Sequence, residues 1–315
     1  MSRTTRGARI LPYSRVVGQD ELKLALELNH VVPRVGGVLM AGARGTAKST
    51  LVRAFALMVH GELPVTLPIN ATDDRVLGGW DLDALLKGET RPQPGLLEDA
   101  DAKGLLYIDE VNLLDDHIVN IVLDVVSTGV LSVQREGLAT AKHLAFGLVG
   151  TMNPEEGGLR PQLLDRFGLM VTAEQLGVDD RHRMIRTVLD FDEYLGGAGD
   201  AGWLADAERE TAADRDRLEI ARRRAPEVQV ADEILRLCAE AAVRVEAVGQ
   251  RGEIVATMAA RALAALEGAD QVEPRHLLRV LPMALRHRRP ETAHGGTFGW
   301  GPDDDSRVKD LFETA

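Results

Sequence analysis

The sequence predicts an α/β protein in which helices flank a parallel sheet and a smaller all-α domain follows. The first reason is that short apolar segments alternate with helical periodicities from about residue 16 to about residue 188. The second is a glycine-rich loop after the first apolar segment, and the third is an apolar segment that ends in two carboxylates. From about residue 227 to 290 only helical spacing remains, which predicts the all-α domain.

The glycine-rich loop follows a predicted strand at 37–41 and precedes a predicted helix. It matches the pattern G-x-x-x-x-G-K-[ST], except that Ala47 stands where a second glycine is usual. Backbone N–H groups of such a loop and the following helix N-terminus form an anion site, and Lys48 can reach the β- and γ-phosphates of a nucleotide. The alternative is a turn without function between strand and helix. The residues that we expect to contact ATP are Gly42, Ala43, Arg44, Gly45, Thr46, Ala47, Lys48, Ser49 and Thr50.

A second predicted strand, at 105–108, is followed directly by Asp109 and Glu110. Its continuous apolar character is typical of a strand buried in a parallel sheet, whose C-terminal end points into the crevice where ligands bind. In P-loop ATPases an aspartate at this place holds Mg²⁺, and the hydroxyl of Ser49 supplies a second ligand. Glu110 is placed to act as a general base toward the attacking water. Either acid alone could be a solvated strand end, but the two motifs together predict ATP hydrolysis with Mg²⁺.

The remaining elements follow in order. Strands are predicted at 145–151 and 170–172, and a hairpin inserted on the core is predicted at 129–146. Residues 206–224 are dense in Asp, Glu and Arg, which is typical of a solvated helix with ion pairs between positions i and i+4. Three helices with apolar faces come next, and the glycine-rich segment after Pro290 is expected to be mobile. The predicted division is a nucleotide-binding core at 1–189, a linker with the charged helix at 190–226, a helical domain at 227–290 and a tail at 291–315.

Composition argues against several classes of protein. A net charge of −12 with a pI of 5.2 opposes nucleic-acid binding, and an aromatic content of 4% opposes base-stacking platforms. No apolar segment approaches the roughly 18 residues of a membrane span, and the basic N-terminus lacks the apolar region of a secretory signal. We therefore expect a cytoplasmic protein without a membrane partner. Cys238 is the only cysteine, and the histidines lack a metal-ligand spacing.

Longer segments resemble the ATPase (I) subunit of magnesium chelatase, in the chelatase and MoxR branch of the AAA+ ATPases. One is Tyr-Ile-Asp-Glu-Val-Asn-Leu-Leu-Asp-Asp-His-Ile-Val at 107–119, and another is Asn-Pro-Glu-Glu-Gly-Gly-Leu-Arg-Pro-Gln-Leu-Leu-Asp-Arg-Phe-Gly at 153–168. Shorter ones lie at 17–19, 250–253 and 259–266. The resemblance implies an AAA+ P-loop core, a C-terminal all-α lid that is the predicted helical domain, and a homo-oligomeric ring of six subunits.

The resemblance also implies roles for residues outside the two nucleotide motifs. Asn153 matches the sensor-1 residue that orients the attacking water, and its alternative role is that of an N-cap before Pro154. Arg166 matches the arginine finger that completes a neighbouring subunit's site, and Arg160 is a second candidate. Either arginine could instead form a structural ion pair, for example with Asp165.

Two further contacts are implied in the same way. Arg251 matches sensor 2, a contact to the γ-phosphate from the helical domain, and the sequence leaves open whether it acts on its own subunit or on a neighbour. Gly18 and Gln19 match a segment that lines the adenine pocket through its backbone.

The leading interpretation of function is an ATP-driven motor subunit of a metal chelatase. Its partners would be an A-domain-containing AAA+-like subunit and a large catalytic subunit that inserts a divalent metal, Mg or Co, into a tetrapyrrole. The alternative is a MoxR-like remodelling chaperone that works with a von Willebrand A-domain protein. Two features modestly favour this alternative: Ala47, and the segment at 63–73, which is shorter than in chelatase I subunits. A DNA-dependent motor is a third interpretation, which the charge and the aromatic content oppose.

Overall fold

The chain folds into a five-stranded sheet with flanking helices, followed by a helical domain. The computed structural model describes residues 10–80, 88, 91–135, 138–290 and 300–313. The strands are β1 Val38–Ala41, β2 Val65–Leu67, β3 Gly79–Trp80, β4 Pro92–Gln93, β5 Leu105–Ile108, β6 Val130–Arg135, β7 Leu138–His143, β8 Gly147–Met152 and β9 Leu169–Thr172. The helices are α1 Asp20–Val31, α2 Lys48–His60, α3 Asp73–Leu77, α4 Leu96–Lys103, α5 Asp116–Thr128, α6 Pro161–Leu164, α7 Val178–Leu195, α8 Ala201–Arg224, α9 Asp232–Arg244, α10 Arg251–Leu266, α11 Pro274–Leu285 and α12 Pro302–Glu313.

The main sheet has the strand order β2-β5-β8-β1-β9, and every pairing in it is parallel. Each residue of β1 and of β5 is buried, which is the reason for their continuous apolar sequence. This arrangement confirms the predicted fold class and three of the four predicted strands nearly residue for residue. The fourth begins two residues later than predicted, at Gly147, and β2 was not predicted because its three residues at the sheet edge carry little pattern.

The register brings the C-terminal ends of the central strands together. Met40 of β1 lies beside Thr151 of β8, and Ile108 of β5 lies beside Gly150 of the same strand. The segments that follow β1 and β5 therefore meet at one edge of the sheet, where parallel sheets bind ligands. Separately, β6 and β7 pair antiparallel within the region of the predicted hairpin, whose turn at 136–137 lies outside the described residues.

The charged helix α8 packs against the core. Leu218 on this helix is fully buried, and Ser14 Oγ donates to Ala207 O over 2.9 Å. Arg217 pairs with Glu27 of α1 at 2.9 Å. The predicted boundary at 189–190 falls inside α7, which continues to the glycines that follow Leu195.

The helical domain contains α9, α10 and α11, and α12 packs onto it. Val308 and Leu311 of α12 are buried, and Arg289 Nη1 lies 2.6 Å from Asp304 Oδ2. Within the predicted tail, residues 302–313 thus form a helix whose apolar side chains have a packing partner. Residues 291–299 and 314–315 of the predicted tail lie outside the described residues. Among the described residues, no helix combines the length and the hydropathy that crossing a membrane requires.

A buried arginine joins the helical domain to the core. The Arg288 side chain is fully buried, and its Nε lies 3.0 Å from Asp165 Oδ1. Its guanidinium also donates to the carbonyl oxygens of Asp165, Phe167, Gly168 and Ala284. Burial lowers the pKa of Arg288 to about 10, and Asp165 opposes that shift, so the group stays charged at neutral pH. These bonds fix the loop that precedes β9 against the end of α11.

The buried His30 makes stability depend on pH. Burial, with Arg222 and His60 nearby, lowers its pKa to about 3. The folded protein therefore keeps this imidazole neutral below pH 6.5, where the unfolded chain binds a proton. The free energy of unfolding consequently falls as the pH decreases below 6.5, by up to about 1.4 kcal/mol per pH unit.

We predict that His30→Leu reduces this acid destabilisation. Urea unfolding at about pH 7.5 and about pH 5.5 should show a loss of free energy smaller than in the parent by about 1.4 kcal/mol. His182→Leu, at an exposed position on α7, is the matched control and should keep the parental difference. An unchanged difference in His30→Leu would contradict the assignment.

Candidate site of ATP binding and hydrolysis

The loop between β1 and α2 has the backbone that a phosphate cradle requires. Gly42 has φ 149°, and a Cβ at this position would lie 2.8 Å from Ala173 Cβ. Gly45 has φ 78°, and Ala47 has φ 62°, a left-handed conformation directly before the first residue of α2. The loop therefore turns tightly and presents the helix N-terminus, where backbone N–H groups bind anions.

Lys48 is held within this loop. Its Nζ donates to Gly42 O at 2.7 Å, to Ala43 O at 2.8 Å and to Thr46 Oγ1 at 3.2 Å. Burial lowers the pKa of Lys48, and attraction to the carboxylates of Asp109 and Glu110 opposes that shift. The structure thus brings the two sequence motifs together around one ammonium group.

Ser49 and Asp109 meet through a tyrosine. The Tyr107 hydroxyl lies 2.8 Å from Ser49 Oγ and 2.8 Å from Asp109 Oδ1. Thr151 Oγ1 donates to the same Asp109 oxygen over 2.7 Å. Burial raises the pKa of Tyr107 to about 12, so its hydroxyl keeps its proton at neutral pH. A serine hydroxyl and an aspartate carboxylate therefore contact the same tyrosine hydroxyl at the start of α2.

This donor set fits Mg²⁺. Mg²⁺ prefers oxygen ligands and is usually bound by one or two carboxylates together with phosphate oxygens of the substrate and water. Ser49 and Asp109 supply a hydroxyl and a carboxylate next to the phosphate cradle. Within the part of the chain that the structure describes, no cluster of three or more His, Cys, Asp or Glu side chains could hold a metal. A site that relies on the nucleotide for its remaining ligands needs no such cluster.

Glu110 has an unusual backbone and an ionic partner. Its φ is 55°, and its N–H donates to Thr151 Oγ1 over 3.1 Å. Its Oε1 lies 3.2 Å from Arg44 Nη2, which also lies 2.5 Å from Glu156 Oε1. The predicted general base is thus paired with a residue of the phosphate-binding loop.

Asn153 lies directly after β8 and is 6% exposed. Its Oδ1 accepts from the N–H of Glu155 over 3.3 Å, so Asn153 caps the short turn that follows. This is the N-cap role that the sequence analysis gave as the alternative. Its place at the same sheet edge as Asp109 and Glu110 is compatible with a second role toward the attacking water.

Gly18 and Gln19 lie beside the segment that follows β9. Gln19 is buried, its Nε2 donates to Glu174 O over 2.8 Å, and a Cβ on Gly18 would approach Leu176 Cδ2 to 2.5 Å. Because Gly42 packs on Ala173 at the start of that segment, the two residues are neighbours of the phosphate-binding loop. This is the place for which the resemblance to chelatase subunits implies an adenine pocket.

Two of the candidate arginines, Arg166 and Arg251, lie away from the phosphate-binding loop. Arg166 and Arg251 line a cavity of about 740 Å³ whose wall includes Gly36, Gly104 and Gly147, next to the N-terminal ends of β1, β5 and β8. The phosphate-binding loop follows the opposite end of β1, and a four-residue strand spans about 13 Å. The structure therefore groups Arg166 with Arg251 and separates both from the phosphate-binding loop of the same chain.

Each candidate arginine has a carboxylate partner. Arg166 Nη1 lies 2.7 Å from Asp124 Oδ1, and Arg160 Nε lies 2.6 Å from Asp116 Oδ2. Arg251 Nη1 is 3.4 Å from Asp165 O and 4.0 Å from Asp165 Oδ2. The suggested pair between Asp165 and Arg160 or Arg166 is not formed, because Asp165 binds Arg288 instead. The pairs of Arg166 and Arg160 are exposed to solvent, so each contributes little to stability.

The sequence analysis did not identify three residues as members of this site: Tyr107, Thr151 and Glu156. Tyr107 precedes Asp109 by two positions, and alternation along a strand places both on one face. That spacing was the available signal, but an aromatic residue within an apolar strand first indicates core packing. Glu156 carries no signal, since its contact with Arg44 depends on how two loops meet.

Comparisons with known proteins agree on one family. Residues 37–167 match the AAA domain of the dynein-related subfamily, and residues 235–309 match the AAA lid domain. The magnesium-chelatase 38 kDa subunit of Rhodobacter capsulatus is 41% identical over 89% of this chain and 88% of that protein. The ChlI homolog of Methanocaldococcus jannaschii is 38% identical over 89% of this chain and 85% of that protein.

Solved structures extend the comparison. The chain aligns with a subunit in a cryo-EM-based model of the complex between BchI and BchD of magnesium chelatase. The identity is 40%, the TM-score is 0.50, and the alignment covers 89% of this chain and 96% of that one. A Cytophaga hutchinsonii protein at 16% identity has a TM-score of 0.67 over 96% of this chain and 91% of that one, which shows a shared fold alone.

The left-handed conformation of Ala47 generates a prediction. Ala47→Gly should raise the free energy of unfolding by about 0.5 kcal/mol, because the strain of a left-handed alanine exceeds the entropic cost of glycine in the unfolded chain. Ala213→Gly, in the exposed interior of α8, is the matched control and should lower it by about 1 kcal/mol. Urea unfolding of both variants measures the difference, and equal destabilisation by the two substitutions would contradict the strain at Ala47.

Proposed function

The chain belongs to the family of magnesium-chelatase 38 kDa (ChlI) subunits, which are AAA ATPases, and from this membership we propose that it is the ATP-hydrolysing motor subunit of a metal chelatase. In this role it drives a separate catalytic subunit to insert a divalent metal, Mg or Co, into a tetrapyrrole. The main support for ATP hydrolysis is that four residues meet at one edge of the sheet: Lys48, Ser49, Asp109 and Glu110.

Each residue at that edge has a separate role in hydrolysis. The loop N–H groups and Lys48 bind the phosphates, and Ser49 and Asp109 hold Mg²⁺, which neutralises charge on the phosphates when bound. Glu110 takes a proton from the attacking water, which requires that its carboxylate leave Arg44. Asn153 orients that water from the end of β8.

Assembly completes the site in this proposal. Arg166 lies at the edge of the sheet opposite the phosphate-binding loop, so it reaches a γ-phosphate only in a neighbouring subunit. Arg251 lines the same cavity, and we therefore assign it to the neighbour's nucleotide as well. A homo-oligomeric ring of six subunits, as in the family, places these two arginines of each subunit against the nucleotide of the next. Hydrolysis then depends on ring formation.

The proposed partners follow from the relatives. BchI forms a complex with BchD, so we propose an A-domain-containing AAA+-like subunit as the direct partner and a large catalytic subunit as the recipient of the motion. Identity of about 40% to chelatase subunits over most of the chain favours this assignment over a MoxR-like chaperone.

We predict that Glu110→Gln binds ATP with the affinity of the parent but hydrolyses it at least about 100-fold more slowly, because it removes the general base and preserves the shape of the side chain. Fluorescent-ATP binding and phosphate release measure the two quantities. Glu155→Gln, at an exposed position near the site, is the control and should hydrolyse ATP normally. Turnover of Glu110→Gln near the parental rate would exclude Glu110 as the base.

The same variant tests the chelatase role. Glu110→Gln, held in its ATP-bound state with Mg²⁺, is used as bait in a native cell extract, and the retained proteins are identified. A very large catalytic subunit together with an A-domain subunit is the expected result. An A-domain protein with an unrelated client would instead make the chain a remodelling chaperone.

Mixed rings test the neighbour's contribution. Arg166→Ala and Lys48→Ala should each be inactive alone, whereas a mixture with excess Lys48→Ala should regain part of the ATPase activity. Recovery is expected because an intact loop from one variant then faces an intact Arg166 from the other. Arg160→Ala in place of Arg166→Ala is the matched control and should remain active alone. No recovery in rings shown to be mixed would place Arg166 in its own subunit's site.

A further inference from the structure

Two buried hydroxyl groups surround the carboxylate of Asp109. Tyr107 is 0% exposed and Thr151 is 1% exposed, and their oxygens lie 2.8 Å and 2.7 Å from Asp109 Oδ1. We call these two groups the hydroxyl clamp. Both residues belong to central strands of the sheet, β5 and β8, so their positions are set by the core.

The direction of each hydrogen bond follows from the chemistry of the groups. An ionised carboxylate only accepts, and a tyrosine hydroxyl has one proton. Tyr107 therefore donates to Asp109 and accepts from the hydroxyl of Ser49. The Ser49 hydroxyl proton then points toward Tyr107, and the lone pairs of Ser49 Oγ are free for a metal. The second oxygen of Asp109 is likewise left for a metal or its water.

The threonine also connects the carboxylate to the next residue. Thr151 Oγ1 donates to Asp109 and accepts the N–H of Glu110 at 3.1 Å. Glu110 has φ 55°, a conformation that costs free energy for a residue other than glycine and needs support from its surroundings. One hydroxyl thus fixes both the carboxylate of Asp109 and the backbone that carries Glu110.

We propose that the hydroxyl groups of Tyr107 and Thr151 are positioning groups that hold Ser49 and Asp109 in the arrangement that Mg²⁺ requires. The inference rests on the proposed assignment of Ser49 and Asp109 to the metal. Outer partners of metal ligands orient them and raise metal affinity by about 10- to 100-fold. Neither hydroxyl contacts the nucleotide in this proposal, so their effect on ATP binding passes through the metal.

The test compares ATP binding with and without the metal. Tyr107→Phe and Thr151→Val each remove one hydroxyl, and Thr151→Ser retains it. Binding of a fluorescent ATP analogue is measured in EDTA and across a titration of free Mg²⁺. The first two variants should bind as the parent does in EDTA and need about 10-fold more Mg²⁺ for half-maximal tightening, whereas Thr151→Ser should stay within about twofold of the parent.

Further measurements separate this inference from its premise. Asp109→Asn and Ser49→Ala must raise the Mg²⁺ requirement; if they do not, the metal assignment fails and the inference fails with it. If they do, and both hydroxyl-free variants keep the parental Mg²⁺ dependence, the hydroxyl clamp alone is refuted. Thermal unfolding identifies a variant that lost its fold, and agreement between Tyr107→Phe and Thr151→Val guards against a purely structural effect at one position.

Discussion

The parallel register of β1, β8 and β5 is the constraint on which the rest of the site depends. It places Met40 beside Thr151 and Ile108 beside Gly150, so the residues that follow β1 and β5 meet at one edge of the sheet. A one-residue slip of a strand would turn its side chains to the opposite face and remove Asp109 from Ser49. Because β1 and β5 are buried on both faces, a slip would also move every side chain of the strand out of the close-packed surroundings that fit it.

The two edges of the sheet carry different parts of the proposed machinery. The phosphate-binding loop and the carboxylates occupy the C-terminal edge, whereas Arg166 and Arg251 line a cavity at the N-terminal edge. Arg288 contributes to this division, since it is buried against Asp165 and the carbonyls around it and so fixes the loop that carries Arg166. The Arg288 guanidinium is buried, so leaving it without its partners is costly, whereas the solvent-exposed pair of Arg166 with Asp124 costs little to exchange.

The same contrast in burial distinguishes two contacts around the carboxylates. Arg44 has 68% of its side chain exposed, so its pairs with Glu110 and Glu156 are weak and a triphosphate can displace them. The hydrogen bonds of Asp109 with Tyr107 and Thr151 involve buried hydroxyls, which lose more when left unpaired. The proposed metal ligands are therefore held rigidly, while the proposed base is held by a contact that nucleotide binding can release.

Local patterns in the sequence determined the fold class, four of the five strands of the main sheet, the phosphate-binding loop and the carboxylates that follow β5. Each of these leaves a short-range signal, either a continuous apolar segment or a fixed spacing of glycine, lysine and hydroxyl residues. The resemblance to chelatase subunits supplied the family, which the relatives confirm. Asn153 illustrates the limit, since its sequence fits both a cap and a catalytic contact and the structure shows the cap.

Only the tertiary structure decided which distant groups meet. The sequence around residues 302–313 predicts a mobile tail, because no local pattern shows what Val308 and Leu311 pack against. In the folded chain both side chains are buried. The charged helix α8 read as solvated because few of its residues are apolar, yet Leu218 is buried against the core. Tyr107 and Thr151 lie 44 positions apart by number, and a common register of two strands brings both hydroxyls to one carboxylate. Periodicity reports which face of an element is apolar, whereas contacts between elements depend on packing that no local pattern encodes.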